Sequence, residues 1–207
     1  MEKTRLRKKH LDARDMMSKE EREQKSRQIQ EKVLGLPQLR EADFILPYMD
    51  YRSEVMTTEL VNQILTGKLS GTGAHRVFCP VVEGMDIFFY EITSLEQLKS
   101  GYQDIREPVP AVETMYTDKI VGSGRSVVLA PGAVFDRQGG RIGYGKGFYD
   151  RFLAKFPQMF SIGLAFSSQL TMEIPMDEMD QRINMIVTEQ EIIHTYICMK
   201  ERKRYGN

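Results

Sequence analysis

The sequence predicts one α/β domain of three layers, a Rossmann-like arrangement in which helices cover both faces of a mixed, mostly parallel sheet. Short apolar runs rich in β-branched residues, typical of buried strands, alternate with longer segments whose apolar residues have helical spacing. A cationic, glycine-rich segment follows one of these runs at its carboxyl end, which is where α/β proteins bind ligands. The 207 residues are enough for one such domain with a full core.

Five segments have the spacing or the capping residues of a helix. Residues 2–16 contain no Pro or Gly and are rich in helix formers. Ser18 and Glu21 have the spacing of a capping box, which predicts that a second helix begins there and runs to about Val33. The remaining predicted helices are 57–64, a short one at 94–98, and 148–156.

Strands are predicted at 44–48, 76–82, 85–92, 127–129, 159–166 and 186–189. A short turn separates the second of these runs from the third, which indicates a hairpin, and Pro47 indicates an end or an edge for the first. The Pro-rich segment 108–126 is predicted to be a long loop of the kind that often acts as a flap. Residues 1–189 are expected to form the domain. Residues 190–207 are predicted to be a carboxyl-terminal extension, helical and then frayed.

The composition excludes several classes of partner. Lys plus Arg and Asp plus Glu number 29 each, so no net charge favours nucleic acid or an anionic membrane. No apolar stretch approaches the ~20 residues that span a bilayer. The acids among residues 2–21 argue against a transit peptide. Cys79 and Cys198 provide no disulfide framework and no metal-ligand spacing. We expect a cytoplasmic, monomeric protein that acts on small molecules.

The glycine-rich segment carries Gly139, Gly140, Gly143, Gly145 and Gly147. It departs from a P-loop because Gly147 stands where Ser or Thr should follow Lys146, and its spacing also departs from the dinucleotide fingerprint. A mobile surface loop is the alternative interpretation. Two cations, Arg141 and Lys146, and the acid Asp150 favour a phosphate-binding loop, in which backbone amides and a helix amino terminus hold the anion.

The first predicted helix carries Lys3, Arg7 and Arg14 on one face. Such a stripe is most often a solvated surface, and the residues alone slightly favour that interpretation. The other interpretation is that the face turns inward to meet an anion. The role of Asp136 also has alternatives: its carboxylate is expected to contact a metal, cap a turn or anchor the glycine-rich segment.

The pattern from Phe135 to Asp150 resembles the signature of the 5-formyltetrahydrofolate cyclo-ligases, also called methenyltetrahydrofolate synthetases. The resemblance covers roughly residues 3–189. It implies the Mg²⁺- and ATP-dependent conversion of 5-formyltetrahydrofolate to 5,10-methenyltetrahydrofolate. This reaction proceeds through a phosphorylated formyl group and ring closure by N10, and it releases ADP and phosphate.

The resemblance also implies roles for individual residues. Catalysis is assigned to Arg141 and Lys146, and Mg²⁺ to Asp150 and Asp180. ATP is expected to contact Lys3, Thr4, Arg5, Leu6, Arg7, Arg141, Ile142, Gly143, Tyr144, Gly145, Lys146, Gly147, Phe148 and Tyr149. The folate is expected to contact Met49, Glu54, Tyr144, Gly145, Lys146, Gly147 and Phe148.

Two of these residues have plain alternatives, and two positions depart from the family pattern. Glu54 alone would be a helix amino-terminal acid, and Asp180 alone a cap or a surface charge. Gln103 replaces an aromatic residue that usually precedes the Ile-x-Glu-Pro element. Asn184 replaces a second acid, whose role cannot be transferred to it.

Two rival functions remain on the residues alone. One is a non-catalytic nucleotide or folate sensor with the same pocket. The other is an RNA-binding module that uses the basic first helix, which predicts a large basic patch and is disfavoured by the zero net charge. The histidines have no ligand spacing and are expected to be structural or solvated.

Overall fold

The computed structural model describes residues 2–69 and 75–195. Within these two ranges the helices and strands alternate as the apolar patterns predict. The α-helices are α1 (Glu2–Asp15), α2 (Lys19–Gly35), α3 (Pro37–Arg40), α4 (Thr58–Leu65), α5 (Asp118–Val121) and α6 (Phe148–Lys155). No helix in these ranges is long and apolar enough to cross a membrane.

The strands belong to one large sheet and two small ones. The large sheet contains β1 (Phe44–Leu46), β2 (Arg76–Glu83), β3 (Asp86–Ile92), β6 (Ser126–Ala130), β9 (Phe160–Leu164), β11 (Met185–Val187) and β12 (Ile192–His194). The small sheets contain β4 (Leu98–Ser100) with β5 (Arg106–Pro108), and β7 (Val134–Asp136) with β8 (Arg141–Ile142) and β10 (Leu170–Thr171).

The large sheet is mixed and mostly parallel, as predicted. Its order is β12-β11-β9-β6-β1-β2-β3, and the five central strands run parallel while β3 and β12 pair antiparallel at the two edges. From β1 the chain continues to β2 on one side, whereas β6 lies on the other side and leads to β9. The carboxyl ends of β1 and β6 therefore meet at the topological switch point, where ligands bind in open α/β sheets.

The central strands are covered on both faces. Every residue of β1 and β11 is buried, and in β6 and β9 only the first residue is partly exposed. A strand that is buried on both faces reads as a continuous apolar run, which is why the sequence pattern identified these strands. Helices must therefore cover both faces of the sheet, and the single three-layer α/β domain is confirmed.

Local sequence signals place the helix boundaries well. The Ser18 side chain accepts a hydrogen bond from the backbone N–H of Glu21, so Ser18 caps α2 where the sequence predicts its start. The strand at 44–48 ends at Leu46, one residue before Pro47. Residues 94–98 form a 3₁₀ turn, Leu95–Gln97, capped by Ser94.

Two expectations about connecting segments are wrong. Segment 108–126 is not an open flap: it contains a 3₁₀ turn and α5, and Tyr116 is buried and pairs with β3 through the Phe89 carbonyl. Residues 192–194 were predicted to be helical, but they form β12 because the apolar pair Ile192–Ile193 can extend the sheet beside β11. Residues 190, 191 and 195 are not helical either, and residues 196–207 of the predicted extension, Cys198 among them, lie outside the described residues.

The glycine-rich segment divides into two structures. Gly139 and Gly140 belong to the tight turn between β7 and β8 and do not contribute to a phosphate loop. Asp136, which is 1% exposed, accepts hydrogen bonds from the backbone N–H groups of Gln138, Gly140 and Ile174. Asp136 is therefore the anchor of this hairpin, which resolves the three alternatives for its carboxylate.

Candidate functional site

A cavity of about 520 Å³ lies at the switch point, where the carboxyl ends of β1 and β6 meet α1, the β2–β3 hairpin and the start of α6. Its walls divide into two parts by chemistry. The cationic part contains Lys3, Arg7, Arg141 and Lys146 with the carboxylates of Asp150 and Asp180, and the buried part contains Tyr48, Met49, Glu54 and Tyr149.

Helix α1 turns its basic face towards this cavity. The Arg7 Nε donates to the Gly143 carbonyl oxygen at 2.8 Å, and Lys3 Nζ donates to Asp177 Oδ2 at 2.6 Å. The face is thus partly buried against the domain, in agreement with the resemblance. The solvated surface, which the residues alone slightly favour, is wrong.

Lys3 also forms a close ion pair with Asp180, across the edge of the cavity. Partial burial acts to raise the pKa of Asp180, but the Lys3 ammonium and the Asp177 backbone outweigh it, so the pKa of Asp180 is lowered. Burial acts to lower the pKa of Lys3, and its two carboxylate partners raise it overall. Both groups therefore remain charged at neutral pH.

The second half of the glycine-rich segment forms the loop that faces the cavity. Gly145 and Gly147 have φ values of 98° and 67°, which L side chains rarely adopt. Gly147 is the N-cap of α6, so the positive end of that helix lies beside Lys146. A cationic loop at a helix amino terminus is suited to binding an anion.

Arg141 and Asp150 form the floor of the cationic part. The Arg141 side chain is 3% exposed, its Nη2 lies 3.0 Å from Asp150 Oδ1, and its Nη1 donates to the Pro131 carbonyl oxygen at 3.3 Å. The Nε of Arg141 is buried and has no hydrogen-bond partner among the described residues. A buried guanidinium with an unsatisfied donor is suited to an additional anionic partner.

Lys146 contrasts with the other three cations. Its side chain is exposed at the cavity, and no hydrogen bond or ion pair joins its ammonium to another group in residues 2–69 and 75–195. It is therefore available to a ligand without the loss of an existing interaction.

The buried part holds a single carboxylate beside apolar walls. Met49 is 4% exposed and lies 3.9 Å, sulfur to sulfur, from the core residue Cys79. Glu54 is also 4% exposed, and its Oε2 accepts from the backbone N–H of Tyr51 at 2.9 Å. Burial raises the pKa of Glu54 to about 7, against the opposing charge of Arg14. Glu54 is thus poised to change charge near neutral pH.

Most of the predicted site residues come together in this cavity. The exceptions are three neighbours on α1: Thr4 and Arg5 are exposed and do not line it, and Leu6 packs on a separate apolar cluster that includes Val134 and Ile142. The predicted residues that line it are Lys3, Arg7, Met49, Glu54, Arg141, Ile142, Gly143, Tyr144, Gly145, Lys146, Gly147, Phe148, Tyr149, Asp150 and Asp180.

Several cavity residues were not predicted. Tyr51 and Arg52 lie in the same loop as Met49 and Glu54, so the position of that loop after β1 was a usable signal. Of the others, Tyr48 and Pro131 follow the ends of β1 and β6. The remaining ones come from the β2–β3 hairpin and from the segment around β5, whose Ile-x-Glu-Pro element was noted in the sequence without a site assignment. The full set is Tyr48, Pro80, Val82, Ile87, Tyr102, Gln103, Ile105, Glu107 and Pro131.

The two departures from the family have different structural consequences. Gln103 lines the cavity with a φ of 55°, in a 3₁₀ turn beside the half-exposed Tyr102. Asn184 does not line the cavity: its Oδ1 accepts from the Ser161 backbone N–H and hydroxyl at 2.8 and 2.9 Å. Asn184 therefore joins β9 to the start of β11.

The two carboxylates of the cationic part could hold a divalent cation. The Gln181 backbone N–H donates to Asp150 Oδ1 at 3.2 Å, which brings the Asp180 segment against α6. The described residues contain no cluster of three His, Cys, Asp or Glu side chains that would enclose a metal. Two carboxylates suit Mg²⁺, which completes its shell with water and phosphate oxygens.

Comparisons with known proteins identify relatives along almost the whole described chain. Residues 1–189 match the profile of the 5-formyltetrahydrofolate cyclo-ligase family. The chain is 27% identical over 185 residues to 5-formyltetrahydrofolate cyclo-ligase of Mus musculus, covering 84% of this chain and 86% of the relative. It is 28% identical over 189 residues to a probable 5-formyltetrahydrofolate cyclo-ligase of Caenorhabditis elegans, covering 86% and 87%.

Solved structures show the same fold. The NMR structure of Aquifex aeolicus 5,10-methenyltetrahydrofolate synthetase matches with a TM-score of 0.79 and 30% identity, over 95% of this chain and 94% of that one. The Mycoplasma pneumoniae 5,10-methenyltetrahydrofolate synthetase matches with a TM-score of 0.69 over 91% and 99%. At 23% identity, the second match supports the fold alone.

Proposed function

The chain belongs to the 5-formyltetrahydrofolate cyclo-ligase family, and we propose that it converts 5-formyltetrahydrofolate and ATP to 5,10-methenyltetrahydrofolate, ADP and phosphate. One observation carries the proposal: the same cavity has two chemically different parts. A cationic part suited to phosphates adjoins a buried part with Met49 and Glu54, which is suited to a flat heterocycle with polar edges.

The first step is phosphoryl transfer. The formyl carbon is a weak electrophile because the N5 lone pair is delocalised into the carbonyl. Its oxygen is also a poor leaving group, because it would have to depart as hydroxide. In the proposed step this oxygen attacks the γ-phosphorus of ATP, the bond to the β,γ-bridging oxygen breaks, and ADP leaves. The formyl carbon then carries a phosphate ester and an iminium bond to N5.

The second step is ring closure. N10 attacks the activated formyl carbon, the carbon–oxygen bond to phosphate breaks, and N10 loses its proton as the methenyl bridge forms. Because N10 and the formyl carbon belong to one molecule, the attack is intramolecular and benefits from proximity. We assign no general base to this proton.

The protein contributes mainly position and charge, as in other phosphoryl transfers. We assign Lys146 and Arg141 to the transferring phosphoryl group. Within the described part of the chain, the Lys146 ammonium has no partner and the buried Arg141 Nε has no acceptor. Lys3 and Arg7 would contact the remaining phosphates from α1. Asp150 and Asp180 would hold Mg²⁺, which supplies charge neutralisation to the phosphate oxygens when bound.

On the folate side, Met49 would pack against the pterin ring and Glu54 would accept hydrogen bonds from its edge. The loop from Tyr144 to Phe148 would lie between the two substrates, since it borders both parts of the cavity. This arrangement would bring the formyl oxygen and the γ-phosphate together.

The test is direct. Purified protein is mixed with 5-formyltetrahydrofolate, ATP and Mg²⁺, and the absorbance band of the methenyl product is followed while ADP is measured. We expect the band to grow only in the complete mixture, with one ADP for each product formed. Binding of ATP or folate without the band would overturn the proposal in favour of a sensor.

A further inference from the structure

Arg14 is a buried cation without a role in the reaction proposed above. It lies on the same face of α1 as Lys3 and Arg7, but it is 1% exposed and does not line the cavity. Its guanidinium donates to Ser53 Oγ at 3.0 Å, to the Gly132 carbonyl oxygen at 3.3 Å and to the Tyr144 hydroxyl oxygen at 2.5 Å. Burying a guanidinium is costly unless its N–H groups have acceptors. Each accepting group is therefore held in place by its hydrogen bond to Arg14.

The contact with Tyr144 extends to the carboxylate in the cavity. Since the Tyr144 oxygen accepts from Arg14, its own proton is free to face a further acceptor, and the Glu54 carboxylate lines the same cavity. Tyr144 acts to lower the pKa of Glu54, so the three side chains are coupled in the order cation, hydroxyl, carboxylate. Hydrogen bonds in such a chain polarise one another.

Among the described residues, the titratable groups that act on Glu54 or on which it acts comprise one cation, one acid and three tyrosines. They are Arg14 from α1, Tyr48 and Asp50 from the segment around the end of β1, Tyr144 from the loop, and Tyr149 from α6. Burial and the Asp50 charge favour the protonated form of Glu54. Arg14 and the Tyr51 backbone N–H favour the ionised form.

We propose that Arg14 is a positioning residue for folate binding: acting through the Tyr144 hydroxyl, it orients the Glu54 carboxylate in the cavity and favours its ionised form against the effect of burial. This inference rests on the proposed function. The N3–H and the 2-amino group of a pterin both donate, so an ionised carboxylate can accept from both. A protonated one would leave a donor facing a donor.

The experiment begins with the ionisation of Glu54 itself, which needs no turnover. The side-chain carboxyl of Glu54 is titrated by ¹³C NMR in the wild type and in Arg14→Met, Tyr144→Phe and Arg14→Lys. We expect the midpoint to rise by about one pH unit in Arg14→Met, less in Tyr144→Phe, and to return part of the way in Arg14→Lys. Lys9→Met, an exposed cation on the same helix, is the control and should leave the midpoint unchanged.

The second readout is the affinity for 5-formyltetrahydrofolate between pH 6 and 9. We expect Arg14→Met to bind about fivefold more weakly at pH 7 and to recover near pH 9, with KM rising while kcat changes by less than about threefold. A uniform loss at every pH would indicate a structural role only and would overturn the proposal. If Arg14→Met does not fold, Tyr144→Phe decides, because Tyr144 is half-exposed and its ring is retained.

The outcomes separate this inference from the proposed function. A wild-type protein that makes no methenyl product but shows the shifted titrations and the pH-dependent folate affinity would overturn the reaction and support the role of Arg14. Normal turnover with an unchanged Glu54 midpoint in the folded variants would support the reaction and overturn the role of Arg14.

Discussion

Two carboxylates in one cavity behave in opposite ways. Asp180 lies in the cationic part, where the Lys3 ammonium lowers its pKa despite partial burial. Glu54 lies in the buried part, where no cation forms an ion pair with it in the described chain and burial raises its pKa to about 7. The difference shows that the surroundings of a carboxyl group, and not its residue type, decide its charge. Asp180 stays ionised at neutral pH, whereas Glu54 titrates there.

The largest expected effect is in the cationic part. Lys146→Ala should lower turnover by about 10²–10³-fold, because the charge that we assign to the transferring phosphoryl group is lost. Folding should be unchanged, since Lys146 is exposed and makes no described contact that the variant would break. The methenyl-product assay and a thermal melt check this, with Lys8→Ala as the matched surface control.

An unaffected rate in Lys146→Ala would contradict the assignment of this lysine. A loss of rate that is matched by a loss of thermal stability would indicate a structural role instead.

The next effect concerns the stability of the buried part. Because the folded-state pKa of Glu54 is raised to about 7, the native protein favours the protonated form, and stability is lost as pH rises from about 4.5 to about 7. Glu54→Gln removes this penalty. It should be more stable than the wild type at pH 8, by at most about 3 kcal/mol, with no gain near pH 4.5.

Thermal melts at pH 4.5, 6 and 8 measure this difference. Glu59→Gln, which removes an exposed acid from the next helix, should show no pH-dependent gain. Equal stability of Glu54→Gln and the wild type at pH 8 would show that Glu54 titrates normally.

A smaller effect is expected at the Lys3 ion pairs, and the chain supplies its own control. Asp180 and Asp177 both contact Lys3, but only Asp180 lines the cavity. Asp180→Asn should raise the Mg²⁺ concentration for half-maximal turnover by about tenfold, because the proposed Mg²⁺ site loses one of its carboxylates. Asp177→Asn should stay within about twofold.

Titration of Mg²⁺ at saturating ATP and folate measures both variants. Equal shifts in the two variants would mean that the lost ion pair with Lys3, and not a lost metal ligand, explains the effect of Asp180→Asn.

The smallest effect concerns the loop backbone. Gly147 has a φ of 67°, and an added Cβ would lie 3.0 Å from Arg151 Nη1. Gly147→Ala should therefore cost about 1–2 kcal/mol of stability. Gly35→Ala, at the end of α2 with nothing within 4 Å of an added Cβ, should change stability by less than about 1 kcal/mol. Denaturant melts compare the two, and equal costs would argue against strain at Gly147.

The sequence by itself determined the features that depend on local spacing. The Ser18–Glu21 cap, the apolar runs of β6 and β9 and the glycines of the cavity loop are encoded within a few residues of each other. Backbone sterics and short-range hydrogen bonds decide such features, so a pattern of residues is enough to predict them. The family signature added the residues of the cationic part.

Only the tertiary structure decided which side chains meet. Arg14 and Tyr144 are 130 positions apart, and Lys3 and Asp180 are 177 apart. The division of the glycine-rich segment into a hairpin and a cavity loop, and the strand at Ile192–His194, likewise depend on long-range pairing. The burial of Arg14 and the raised pKa of Glu54 arise from packing between elements. No local pattern encodes them, because the low-dielectric surroundings that cause them are assembled from several distant segments.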